Sequence, residues 1–213
     1  METQPTSVRG PGRPRDEDLS ARRSSEILEG AVRFFAEFGY ADADLQVLAD
    51  RVGVGKGTIY RYFPSKETLF FAAVEHGLHQ LREATETAAA QAETPLQAIE
   101  LAIRAYLGFF DRHPEIVELF VQERAHFRDR PQATYFIHQE AHSQGWRQLV
   151  LQLIADKVIR DIPVDRMMAT ISQLLYGTMF TNYFRGRTHA VEDQCQDILD
   201  LTFHGILEPG VRT

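Results

Sequence analysis

Between Leu45 and Phe70 the chain reads LQVLADRVGVGKGTIYRYFPSKETLF, and Ala49, Gly53 and Ile59 stand there at the offsets a helix-turn-helix needs. Ala49 is small enough for two helices to cross closely. Gly53 can take the positive φ that ends the first helix and turns the chain. Ile59 is the apolar plug of the second helix, and Leu48 and Val52 supply the core face of the first. A short second helix offered to solvent by such a turn has the geometry that enters a DNA major groove.

The same stretch resembles the amino-terminal domain of TetR/AcrR-type transcriptional regulators. The resemblance rests on Gly53-Val54, Gly57, Tyr60, Tyr62-Phe63, Lys66-Glu67 and Leu69. It runs back through Ile27-Leu28, Ala31, Phe34-Phe35 and Gly39-Tyr40, covering residues 22–70. Geometry and resemblance together place Gly55, Lys56, Gly57, Thr58, Tyr60, Tyr62 and Lys66 against DNA. Thr58 and Lys56 are suited to base edges, and the tyrosine hydroxyls, Lys66 and the backbone amides near Gly55 to phosphates. Phe63 is read as core. One position departs from the family pattern. Where such proteins usually carry a Thr pair before the second helix, this chain has Ala43-Asp44. Asp44 can cap the helix, but a carboxylate repels phosphate, so this backbone anchor is expected to be weaker or relocated. The run Gly53-Val-Gly-Lys-Gly-Thr58 is no nucleotide-binding loop, because Gly57 separates lysine from hydroxyl and a helix, not a strand, precedes it.

The net charge of −7 does not oppose a DNA-binding role, because it is unevenly spread. Residues 1–66 hold ten basic and ten acidic side chains, whereas residues 67–213 hold thirteen and twenty. From Leu45 to Lys66 the basic groups Arg51, Lys56, Arg61 and Lys66 face Asp50 alone. Residues 1–21 are rich in Pro, Gly and charge and read as a disordered arm. Within it Gly12-Arg13-Pro14-Arg15 is either a minor-groove reader, through Arg13 and Arg15, or a solvated basic tail.

Hydrophobic spacing and breakers predict an all-α chain of about nine helices. A three-helix head spans residues 22–66, and an effector-binding and dimerisation body spans 67–213. A long helix from Lys66 to Ala92 joins them, Thr94-Pro95 opens the next, and His113-Pro114 and Arg130-Pro131 break the chain further on. One helix is expected from there into the 150s, followed by Asp165–Arg185 and Ala190–Leu207. No run of ~18 apolar residues indicates a membrane span. The start lacks the apolar segment of a secretory signal, and the single cysteine, Cys195, fits a reducing cytoplasm.

Three features of the body bear on chemistry. Glu123/His126 and His138/His142 have spacings that share a helix face, so they are metal-ligand candidates or simply exposed polar faces. Aromatic residues recur at helical spacing and are either core or the walls of an apolar pocket. The resemblance implies a small-molecule site, for which Tyr106, Phe110, Phe120 and Glu123 are candidates, with Phe127, Trp146, Phe180 and Tyr183. The last two helices carry wide apolar arcs, marked by Ile171, Leu174, Leu175 and Thr178 on one and Ile198, Thr202 and Ile206 on the other. They form either the centre of a monomer or, as the resemblance favours, a two-fold interface that sets two recognition helices about 34–36 Å apart on a palindrome.

The expectation is a cytoplasmic, homodimeric, ligand-responsive regulator, a repressor without catalytic residue, metal or cofactor, released from a palindromic DNA operator by a small-molecule effector. The alternatives are an effector-independent DNA-organising or site-marking protein, and a metal-dependent helical enzyme using Glu123, His126, His138 and His142.

Overall fold

Caps and breakers written into the sequence divide residues 16–204, which the computed structural model describes, into ten α-helices with no strand among them. Asp44 accepts a hydrogen bond from the Gln46 amide at 2.8 Å and starts a helix that Gly53 ends at φ +72°. Ser65 accepts from the Thr68 amide at 3.0 Å, and Thr94 from the Gln97 amide at 3.2 Å with Pro95 opening the helix behind it. Each satisfies an amide that the first helical turn leaves unpaired.

The head comprises α1 (Asp16–Phe38), α2 (Leu45–Val52) and α3 (Lys56–Tyr62). Ile27, Ala31, Phe35, Leu48, Ala49 and Ile59 are completely buried between them. The body begins with α4 (Lys66–Ala89), α5 (Pro95–Arg112) and α6 (Pro114–His126). It continues through α7 (Thr134–Ala141), α8 (Gln144–Ala155), α9 (Val164–Arg185) and α10 (Val191–Phe203). At 24 residues α4 is ~36 Å long, enough to serve both regions. Its Leu69 and Phe70 close the core of the head, and its Leu78 and Leu81 pack in the body, so one hydrophobic core runs through both. Helix α5 lies along α4, α6 supports α1, and α10 packs on α5. No helix among the described residues is long and apolar enough to cross a membrane.

Four boundaries differ by three residues or more from those read in the sequence, the last helix closing at Phe203 rather than Leu207. Helix α1 begins at Asp16, so residues 16–21 are helical rather than part of an arm. Leu19, Ala21 and Arg22 are good helix formers that carry the helix back. Helix α4 closes at Ala89, three residues early. The single helix expected after Pro131 is two. His142 and Ser143 leave the helical path, and the His142 ring and the Ser143 hydroxyl bond back to the carbonyls of His138 and Glu140. This local competition with the helical ladder accounts for the tenth helix.

Candidate functional site

Helix α3 stands on the head with Ile59 fully buried beneath it. Gly55 is its N-cap, Gly57 is exposed, Lys56 and Thr58 are half-buried, and Tyr60 is 43 % exposed. A Cβ at Gly57 would meet nothing within 4 Å, so no internal contact requires glycine there. Tyr62 turns partly back onto the core, with the Arg61 guanidinium 5.3 Å from its ring centre.

The basic groups of this region are largely engaged within the head. Arg51 pairs with Glu37 at 2.6 Å and lies 4.7 Å from the Phe38 ring centre. Lys56 reaches Asp44 at 3.4 Å. The Asp44 carboxyl is held below its ordinary range, first by the Gln46 amide and then by Lys56. Lys66, expected on a phosphate, instead donates to the carbonyls of Ala41 and Ala43 at 3.0 and 3.2 Å, fixing the loop that leads into α2. Arg13 and Arg15 lie outside the described residues.

A cavity of about 220 Å³ opens within the body. Leu78, Leu81, Arg82, Thr85 and Glu86 of α4 form one wall, and Ile99, Ala102, Ile103 and Tyr106 of α5 another. Tyr135, His138 and Gln139 of α7, His142, Ser143, Trp146 and Val150 complete it with Met168, Ile171, Ser172 and Leu175 of α9. The Tyr106 and Tyr135 hydroxyls pair at 2.9 Å, and burial pushes the Tyr135 phenol up to about 12. The charged and imidazole groups gather on α4, on α7 and at His142 just after it. The His138 ring stacks on His142 with centres 4.2 Å apart, and His79 meets its edge at 5.3 Å. Burial, reinforced by His142, His79 and Arg82, pulls His138 down to about 4.

The family model described as bacterial regulatory proteins, tetR family, matches residues 27–73, from the core of α1 through α3 into α4. The matched segment is the helix-turn-helix head, which is thus similar to that of tetR-family regulators. Among curated relatives, the uncharacterized HTH-type transcriptional regulator YhgD of Bacillus subtilis is 32 % identical over 107 residues. That match takes in 50 % of this chain and 56 % of YhgD, so the chain spans about half the length of this relative. The transcriptional repressor AcnR of Corynebacterium efficiens is 26 % identical over 91 % of this chain and 96 % of its own. Among solved structures, the transcriptional regulator FadR from Bacillus subtilis, in complex with stearoyl-CoA, superposes with a TM-score of 0.71 at 19 % identity. It covers 85 % of this chain and 98 % of FadR, a likeness of fold.

Within this fold, the body residues singled out by sequence are dispersed. Of the effector candidates, Tyr106 and Trp146 line the cavity. Phe110 and Phe120 are core behind it, in edge contact 6.1 Å apart. Phe127 packs on Tyr40 and Phe71 where head meets body. Phe180 stacks on Phe184, and the Tyr183 hydroxyl bonds Glu118. Glu123 is 2 % exposed and accepts from the Thr134 amide and hydroxyl at 2.9 Å and from Arg130 at 3.3 Å, which fastens the α6–α7 loop. His126 packs on Tyr40. Glu123 and His126 therefore do not join His138 and His142, and no three His, Cys, Asp or Glu side chains among the described residues are placed to hold one metal ion.

The proposed interface stripes divide as well. Ile171 and Leu175 face the cavity, and Ile198 is buried with Val191 and Cys195 where α10 packs on α5. Leu174 and Thr178 line a surface groove between α9 and α10, across which Asn182 and Gln194 exchange two amide hydrogen bonds. Thr202 is half-buried, and Ile206 lies outside the described residues. Phe184 and Leu201, 65 % and 50 % exposed, are apolar groups on these two helices that the sequence reading left off its stripes. Arg82 was missed altogether. Its signal was a place one turn beyond Leu78 on the buried side of α4.

Proposed function

We propose that this chain is a cytoplasmic transcriptional repressor, not an enzyme, that binds a palindromic operator as a homodimer and leaves it when a small molecule enters the body cavity. The exposed face of α3 carries the reading. Glycine costs a helix about 1 kcal/mol relative to alanine, and Gly57 gains no internal contact in return. Close approach of a partner backbone to this face is what such a residue allows. AcnR, which aligns along nearly the whole chain, is a repressor, and FadR is a fold neighbour solved with an acyl-CoA.

Helix α4 couples the two events. Its first residue, Lys66, grips the loop before α2, and its Leu78–Glu86 stretch walls the cavity. An effector that favours one tilt of α4 disfavours the head spacing that fits adjacent major grooves, and DNA favours the other tilt. Linkage makes the weakening mutual.

Fluorescence anisotropy with DNA from just upstream of the gene, over several salt concentrations, tests the DNA half. Tight binding that survives competitor DNA, with two protomers per site, is expected. Weak binding of equal salt slope on every sequence overturns operator recognition and favours an effector-independent DNA-organising role.

A further inference from the structure

The body cavity is apolar over most of its wall, yet two nitrogens on its polar side are buried without a hydrogen-bond partner among the described residues. They are Nε of Arg82 on α4 and Nε2 of His138 on α7, and both side chains line the cavity. Buried donors in native proteins nearly always have partners. Both side chains line one cavity from different helices, and a small turn of either brings its unpartnered donor to a ligand acceptor there.

Resting on the reading of this cavity as the effector site, we propose that its ligand is an apolar carboxylic acid, held by its carboxylate at Arg82 and His138 with the hydrocarbon chain against Leu78, Ile99 and Ile103.

The chemistry of the surrounding groups selects an anion. Arg82 is permanently charged. Its acidic neighbour Glu86 stands 3.6 Å away, beyond a normal hydrogen bond, and is 54 % exposed, so solvent screens it. That pair occupies Nη1 and leaves the Nε side of the guanidinium, whose planar fork matches a carboxylate. His138 can present Nε2–H as a second donor. His142 supports this side, since its Nδ1 donates to the His138 carbonyl at 2.8 Å and its ring stacks on His138. A cation would meet Arg82 at close range, and a neutral hydroxyl would add nothing to the screened charge of Glu86 as a partner for the guanidinium. At about 220 Å³ the cavity has room for a hydrocarbon chain beside these groups.

Trp146 is the only tryptophan and lines the cavity, so its emission reports occupancy directly. The test titrates the full chain at pH 7.5 with octanoate and, separately, with octan-1-ol, which has the same chain length and no charge. Saturable change of emission with octanoate, at least tenfold tighter than with the alcohol, is expected. Arg82→Met should bring the acid to the level of the alcohol, and Arg82→Lys, which keeps charge but loses the planar edge, should fall between. Circular dichroism confirms that each variant is folded. Equal affinity for acid and alcohol, or an acid preference that survives Arg82→Met, overturns the carboxylate assignment and leaves the cavity as a site for neutral ligands. No response to either compound also overturns it. Operator binding, measured separately, stands or falls independently of all three results.

Discussion

The side-chain carbonyl of Gln122 accepts a hydrogen bond from the Tyr40 backbone amide at 2.8 Å, joining α6 to the turn that follows α1. The same amide group donates to the Phe35 carbonyl at 2.9 Å and to Glu118 at 3.0 Å. Glu118 in turn receives the Tyr183 hydroxyl of α9. A half-buried polar path therefore runs from the end of the first helix of the head, through α6, to the helix that lines both the cavity and the outer groove. It complements α4 as a second mechanical connection between head and body.

Replacing Gln122 with leucine roughly keeps the volume and removes the three bonds that its amide makes. Phe35 retains the Gly39 amide as a donor at 2.9 Å, but the Tyr40 amide is left without its partner. The expected cost is about 1–3 kcal/mol in urea unfolding. Operator affinity should also become less sensitive to effector, because part of the connection is gone. An unchanged urea midpoint would show that water replaces the side chain at no cost.

Lys66 is bonded to two carbonyls, so its role should be to shape the α1–α2 loop rather than to neutralise phosphate. Lys66→Met should weaken operator binding and lower stability by roughly 1 kcal/mol, while the slope of log affinity against log salt stays the same. A slope shallower by about 0.9 would instead identify a phosphate contact. Anisotropy at four salt concentrations separates the two.

Asp44 combines a useful cap with an unhelpful charge. Serine caps as well as aspartate, so Asp44→Ser should keep α2 intact, release Lys56 from its 3.4 Å contact and remove a carboxylate next to the proposed DNA face. Affinity for DNA should rise several-fold at low salt, with a smaller gain at high salt. Weaker binding would assign Asp44 a direct role in base recognition.

Gly57 should show the opposite balance of stability and function. Alanine there meets no neighbour within 4 Å and restores helix propensity, so Gly57→Ala should stabilise the protein by about 0.5–1 kcal/mol. Its methyl group would stand between α3 and DNA, and operator affinity should fall at least several-fold. A thermal melt and one anisotropy titration decide it. Higher stability with unchanged affinity would move the contact face away from Gly57.

The head was legible because its determinants are local. Ala49, Gly53 and Ile59 lie within eleven residues, and each acts on its own helix or turn. The caps at Asp44, Ser65 and Thr94 were readable for the same reason. The cavity was not, because Arg82 and His138 come from helices joined only through the tertiary fold. Period alone finds that a helix has an apolar face, but not what covers it. The stripe containing Ile198 reads equally as the centre of a monomer or as a two-fold interface; Ile198 itself packs where α10 meets α5, while Ile171 and Leu175 turn toward the cavity. The employment of Lys66 by two carbonyls and of Glu123 by Thr134 and Arg130 likewise depends on loops whose path no spacing rule supplies.

His138 gives the body a pH dependence whose sign follows from its depressed value of about 4 against an ordinary 6.5. Burial keeps the folded-state ring neutral, and the neighbouring His142, His79 and Arg82 charges add to this. Below pH 6.5 the unfolded chain takes up a proton that the folded chain refuses, so this contribution to stability is complete above pH 6.5 and is lost as the pH falls toward 4. The full shift corresponds to about 3 kcal/mol, which partial exposure of the ring reduces to about 1 kcal/mol. His138→Gln should therefore show a smaller drop in urea midpoint between pH 7.5 and pH 5 than the parent chain. Occupancy of the cavity by a carboxylate should act the same way, since an anion beside His138 raises its affinity for a proton and flattens the profile. Identical pH profiles for the parent and His138→Gln would place the acid sensitivity of the body in another group.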